Sequence, residues 1–221
     1  MIKRTRIKMC GVTNLEDALE GVRAGVDALG FIFVDQSARN VEPKLVREII
    51  GDLPPFVDCV GVFVDREREE VEEIVEYCRL SYAQLHGCED PKYCERLARF
   101  SAPCQVVKAF RVGPDSRAED FMPYENSVRG YLLDTYTKEL AGGTGQTFDW
   151  QIVEQLQLQL PLILAGGLDP ENVAEAIRVL RPFGVDVNSG IEIQPGLKDH
   201  EKLHAFVEAV RQADLLSAAQ G

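Results

Sequence analysis

Eight short apolar runs alternate with amphipathic segments along the whole chain, and no other feature limits the possible folds as much. The runs are "RIKMCGV" near residue 6, "ALGFIFV" near 28, "DCVGVFV" near 58, "YAQLHG" near 82, "QVVKAFRV" near 105, "GYLLDT" near 130, "LPLILAGG" near 160 and "GVDVNSG" near 184. All but "YAQLHG", the weakest of them, are apolar or β-branched enough to be buried on both faces, as strands of a parallel sheet must be. The segments between include "NLEDALEGVRAG", "PKLVREII", "REREEVEEIVEYC", "DPKYCERLARF", "PENVAEAIRVL" and "HEKLHAFVEAVRQA". Their apolar residues recur at spacings of three and four, the pattern of a helix with one buried face. Start signals agree: Thr13 with Glu16 reads as a capping box, and Asp90-Pro91 and Asp169-Pro170 each place a cap before a first-turn proline. The fifth crossover, around "PDSRAEDFMPYENS", is the least regular.

Eight strand and helix units in 221 residues average roughly 28 residues each, near the compact end of a (β/α)8 barrel at ~250. An open doubly wound sheet would use the same alternation, but its G-x-G-x-x-G turn after the first strand is missing. The expected fold is therefore α/β, a (β/α)8 TIM barrel occupying residues 1–221 as a single domain.

Net charge of −12 disfavours a nucleic-acid partner, which needs clustered Lys and Arg. A small anionic ligand would have to be met by local positive groups and helix N-termini. The six cysteines, at 10, 59, 78, 88, 94 and 104, include no C-x-x-C pair, and with three histidines they offer no zinc-like spacing, so no metal is expected. The start "MIKRTRIKMCG" lacks an apolar signal region, and no stretch approaches the ~18 apolar residues of a membrane span. A cytoplasmic protein without a membrane partner is the expectation.

Active groups of a barrel sit at the C-terminal ends of its strands. In this chain those tips carry Cys10-Gly11, then Asp35 and Arg39, then Gln84-Leu85-His86-Gly87, Arg111, Asp134, Gly166-Gly167, and finally Asp186, Asn188, Ser189 and Gly190. A period of two puts Lys8 with Cys10, Leu132 with Asp134, and Asp186 with Asn188 on shared faces. A bare aspartate in an apolar strand costs several kcal/mol, roughly, unless it is paired or protonated. Cys10 alone would read as a buried spacer, but a neighbouring lysine and a helix N-terminus are expected to lower its thiol pKa toward neutrality. Asp134 reads equally as a loop anchor. His86 reads as a polar strand end, and His200 and His204 as surface or rim.

Glycines mark "AGGTG" at 141–145, "AGGLDPENV" at 165–173 and "NSG" at 188–190. Turn chemistry explains one Gly-Gly. It does not explain two clusters falling after strands seven and eight, where barrels commonly bind phosphate through backbone N–H groups.

"KMCGVT", "GFIF" with "SARNV", "QLHG", "LLDT", "GGTGQTFDW", "LAGGLDPENV" and "GVDVNSGIE" stand in the order of the phosphoribosylanthranilate isomerase family, which the chain resembles from end to end. One departure is Asn188-Ser189-Gly190, where the family usually has Ser-Ser-Gly. The resemblance implies an Amadori rearrangement of N-(5-phosphoribosyl)anthranilate to 1-(2-carboxyphenylamino)-1-deoxyribulose 5-phosphate, in tryptophan biosynthesis and without a cofactor. It implies Cys10 as general base and Asp134 as general acid, with Arg39 pairing the anthranilate carboxylate. Lys8, Gln84, His86 and Asp186 would be further substrate contacts, and Gly166, Gly167, Ser189 and Gly190 the phosphate site. The two catalytic groups would need the thiol pKa pushed down and the carboxyl pKa up. The partner would be a small phosphorylated molecule, and the assembly a monomer or homodimer.

Two other readings compete. A sugar-phosphate lyase or aldolase would use Lys8 or Lys108 as a Schiff base. A phosphate-binding barrel without catalysis would not need Cys10, Arg39 and Asp134 together.

Overall fold

The structure is a computed structural model that describes residues 4–134 and 150–219; the "AGGTG" cluster lies outside the described residues. Eight strands close into a ring in chain order: β1 (Arg6–Met9), β2 (Ala28–Ile32), β3 (Asp58–Phe63), β4 (Tyr82–Leu85), β5 (Gln105–Arg111), β6 (Tyr131–Asp134), β7 (Leu162–Ala165) and β8 (Gly184–Val187). Every pairing is parallel, and β1 closes on β8 with Lys8 opposite Asp186. The expected barrel is therefore present.

Helices α1 (Leu15–Ala24), α2 (Pro43–Asp52), α3 (Arg68–Cys78), α4 (Pro91–Phe100), α5 (Trp150–Gln155), α6 (Val173–Leu180) and α7 (His200–Ala219) accompany the strands. The irregular fifth crossover contains two short 3-10 segments, Ala118–Asp120 and Met122–Tyr124, and no α-helix. Phe121 from this crossover packs its ring against Phe110 and Tyr131, so aromatic burial covers the sheet where a helix would have done so. After β8 the chain makes a 3-10 turn, Ser189–Ile191, and a small antiparallel hairpin, β9 (Glu192–Gln194) with β10 (Leu197–Lys198), before α7.

Two apolar clusters follow from the strand period. Outward residues such as Met9, Leu29, Phe31, Phe63, Leu85, Tyr131, Leu133 and Leu164 pack under the helices. Inward residues Val107, Ala109, Leu132 and Ala165, with Tyr82 and Ile163, form a smaller core inside the ring.

Two expected helix starts need correction. Asn14, not Thr13, caps α1: its side chain accepts from the Asp17 amide, because the helix begins one residue later than the Thr13–Glu16 spacing implies. Thr13 instead donates its hydroxyl to the Gly196 carbonyl on the β9–β10 turn. Asp169 caps a turn that precedes α6, accepting from the amides of Glu171 and Asn172, while the helix itself starts at Val173. Asp90 caps α4 as expected, with Pro91 in the first turn.

Candidate active site

Inside the ring, Lys8 reaches across to Asp186 with Nζ 2.8 Å from Oδ1, both side chains 8% exposed. Cys10, just past the end of β1, stands one step above Lys8 on the same face and is 5% exposed. Its backbone amide donates to Val187 on β8, which holds it to the rim. Room for this pair comes from Gly30 in β2: a methyl group there would stand 2.9 Å from Cys10 Sγ and 3.0 Å from Lys8 Nζ.

The electrostatics correct one expectation. Burial pushes the Cys10 thiol up, and the Lys8 ammonium beside it pulls it down only in part, with Asp186 opposing and Lys198 helping. The net direction is upward, so the thiol is not held toward neutrality as the sequence suggested; desolvation outweighs the cation. Burial likewise pushes the Lys8 ammonium down, but Asp186 and Cys10 more than offset it and hold Lys8 above its ordinary value.

Asp134 ends β6 on the same rim, three strands round the ring from β1. Its carboxylate lies 3.5 Å from His86 Nε2, each side chain 23% exposed. His86 Nδ1 is in turn 3.4 Å from Gln84 Nε2, and Gln84 is buried on β4. The polar residues expected at the tips of β1, β4, β6 and β8 thus converge at one end of the barrel.

Arg39 comes from the loop between β2 and α2. Its Cδ would be 2.8 Å from a methyl group on Gly11, beside Asn188 Oδ1 at 2.6 Å, so it stands next to the Cys10 loop. Glu192, from β9, accepts from Arg39 Nε at 2.9 Å and from Nη2 at 2.6 Å. Among the described residues Nη1 has no partner, which leaves the end-on edge of the guanidinium available to a second carboxylate. Lys198, fully buried, donates to Glu192 Oε1 at 3.0 Å and to Asn188 Oδ1 at 3.1 Å. Glu192 and Lys198 were not among the residues singled out from the sequence.

The loops after β7 and β8 form the neighbouring corner. Gly166 and Gly167 have φ of 88° and 65°, backbone that side chains with a Cβ avoid. Gly190 lies so close to the Leu168 carbonyl that no larger residue fits, which brings the Ser189–Gly190 backbone against the Gly166–Leu168 turn. Asn172 Nδ2 donates to the Gly167 carbonyl at 2.8 Å and steadies that turn.

A cavity of about 530 Å3 opens at the opposite, N-terminal end, lined by Arg6, Asp27, Tyr82, Gln105, Arg129 and Phe183 among others. Lys8 and Gln84 line its inner end, while Arg6, Asp27, Asp58 and Arg129 stand at the N-terminal end of the ring; the mutually bonded polar groups gather toward the C-terminal mouth. The strand-tip end is where barrels of this kind carry their active groups. Lys108 is no Schiff-base group: it points outward from β5, donates to the carbonyls of Leu85, Gly87 and Ala109, and pairs with buried Glu89. Lys8 is held by Asp186. His200 and His204 pair with Asp17 and Glu20 of α1.

The sequence model of the N-(5'phosphoribosyl)anthranilate (PRA) isomerase family matches residues 7–209. The N-(5'-phosphoribosyl)anthranilate isomerase of Geotalea uraniireducens is 47% identical over 94% of this chain and 98% of its own, and that of Pseudomonas putida 46% over the same shares. The solved phosphoribosyl anthranilate isomerase of Thermotoga maritima superposes with a TM-score of 0.83 at 44% identity, covering 94% of this chain and 99% of that one. A further structure, solved with reduced 1-(o-carboxyphenylamino)-1-deoxyribulose 5-phosphate, gives 0.80 at 41% identity and the same coverage. An eight-stranded barrel with these groups at its mouth, matched over nearly its whole length, belongs to the phosphoribosylanthranilate isomerase family of tryptophan biosynthesis.

Proposed function

We propose that Cys10 is the general base and Asp134 the general acid of the Amadori rearrangement that this family of isomerases performs. The aminoaldose opens when a proton reaches its furanose ring oxygen, and Asp134 on the rim supplies it. The anthranilate nitrogen and C1 are then joined as a Schiff base. The Cys10 thiolate takes the proton from C2, and the enolamine that results tautomerises to the aminoketose. Only protons move, so no cofactor is required. The observation that carries this reading is the convergence of Cys10 and Asp134 on one rim of the barrel, with the Arg39 guanidinium beside the thiol.

Lys8 acts from beneath as the fixed cation that favours the thiolate, with Asp186 holding it in place. His86, bridged to Gln84, orients Asp134. Arg39 takes the anthranilate carboxylate on its end-on edge, and the backbone N–H groups of Gly166, Gly167, Ser189 and Gly190 take the phosphate. The side chain at 188, Asn here, is already engaged by Lys198, so the anion falls to the backbone and Ser189.

The partner is a small phosphorylated molecule. A net charge of −12 supports the absence of a nucleic-acid partner. Among the described residues no helix is long and apolar enough to cross a membrane, in keeping with the expected cytoplasmic location. Of monomer and homodimer, the homodimer has the support of the Thermotoga maritima enzyme, which is called dimeric where a solved chain 39% identical to this one is described as a monomer generated from it.

Loss of fluorescence from freshly made phosphoribosylanthranilate tests the assignment. Cys10→Ala and Asp134→Asn should each lower turnover by about a hundredfold or more, the worth of a placed acid or base, while inorganic phosphate still binds. Wild-type turnover in either variant would overturn it.

A further inference from the structure

Arg39 is the most exposed member of a chain of charges that runs from the mouth into the protein. Its side chain is 22% exposed, Glu192 is 4% exposed, and Lys198 is fully buried. Glu192 takes the side-on edge of the guanidinium, Nε and Nη2, and accepts also from Lys198 Nζ and from the Gly196 amide at 3.2 Å. Lys198 is fixed at both ends, its Nζ on Asn188 and its backbone amide on buried Asp17. The three charges sum to one positive, beside Cys10 and on the side of the mouth opposite Asp134's strand.

We propose that Glu192, gripped by Lys198, is a positioning residue that aims the free edge of Arg39 at the substrate carboxylate, so that the β9–β10 hairpin is part of substrate recognition. This rests on the reading that Arg39 binds that carboxylate. A guanidinium on a flexible stem binds a planar anion well only when its plane is set in advance. Glu192 sets it through two hydrogen bonds on one edge. It also separates two cations: without its charge, Arg39 and Lys198 would repel, and since Lys198 is enclosed, Arg39 is the one that swings to solvent. Burial pushes the Glu192 carboxyl up, but hydrogen bonds from Arg39, Lys198 and Gly196 and the Lys198 charge more than offset it, so the carboxylate stays ionised through neutral pH.

The test is a double-mutant cycle read in KM and kcat for phosphoribosylanthranilate, with melting temperature measured beside it. Glu192→Gln should raise KM about tenfold, with the smaller part of the loss in kcat, as expected when a ground-state contact is weakened. Glu192→Asp keeps the charge but not the reach for both guanidinium nitrogens, and should give a rise between wild type and Gln. On an Arg39→Ala background, which raises KM by itself, Glu192→Gln should add nothing, because its effect passes through Arg39. A wild-type KM in folded Glu192→Gln, or an equal further rise on the Arg39→Ala background, would overturn the proposal. If Glu192→Gln does not fold, the cycle is run with Glu192→Asp, and a wild-type KM there is the overturning result. Failure of the underlying reading looks different: Arg39→Ala itself would leave KM unchanged.

Discussion

Burial pushes the thiol of Cys10, the proposed base, above its ordinary range, and a carboxyl ordinarily titrates well below a thiol, so the proposed pair is in the wrong order for the form most populated near neutrality. The productive state, thiolate with carboxylic acid, is a minor one whose fraction does not change with pH between the two pKa values, since each unit that forms more thiolate removes as much acid. The alkaline limb of kcat/KM then reports the thiol. Because burial holds Cys10 above the ordinary thiol value of 9.0, that limb should fall only beyond pH 9. A fall centred near pH 8 would place another group in the role. The places of Cys10 and Asp134 at strand tips were legible in the sequence through a period of two, while their proposed roles came from the family resemblance; the sign of the thiol shift was not legible, since desolvation depends on how the mouth closes over it. Glu192 and Lys198 escaped for another reason. They follow the last apolar run, in "IEIQPGLKD", where a Pro-Gly turn between short extended stretches was the available signal.

At the scale of elements, the alternation of runs located all eight strands, including "YAQLHG", whose Tyr82 and Gln84 are polar because they face the barrel interior and not the helices. Pattern could not show that the fifth crossover covers its strands with an aromatic cluster, or that the chain inserts a hairpin before α7. Nor could it show why the glycines after β7 and β8 matter differently. A methyl group on Gly167 meets nothing within 4 Å, so Gly167→Ala should cost only the strain of its positive φ, about 1 kcal/mol. A methyl group on Gly190 collides with the Leu168 backbone, which cannot rotate away as a side chain would. Gly190→Ala should therefore force the two loops apart, lower stability by about 2 kcal/mol and weaken competitive inhibition by inorganic phosphate. Equal phosphate affinity in the two variants would separate the anion site from this apposition.

For the molecule as a whole, the barrel interior is the unusual part. One side is packed by Val107, Leu132 and Ile163, while the other holds a buried lysine and aspartate, each side chain 8% exposed. Two charges taken from water recover their solvation only through each other, so such a pair contributes little net stability and is costly to break. Lys8→Met leaves the Asp186 carboxylate buried alone and should lower unfolding stability in urea by about 3 kcal/mol or more. Lys8→Met with Asp186→Leu removes both charges, and the cavity beneath them gives the new side chains room to settle; most of the lost stability should return. Turnover should not return with it. Lys8 is the nearest fixed cation to Cys10, and without it the burial that already raises the thiol acts unopposed from below. A double variant that regains both stability and turnover would mean that Lys8 serves folding alone, and that the thiolate draws its stabilisation from Arg39 and Lys198 at the mouth.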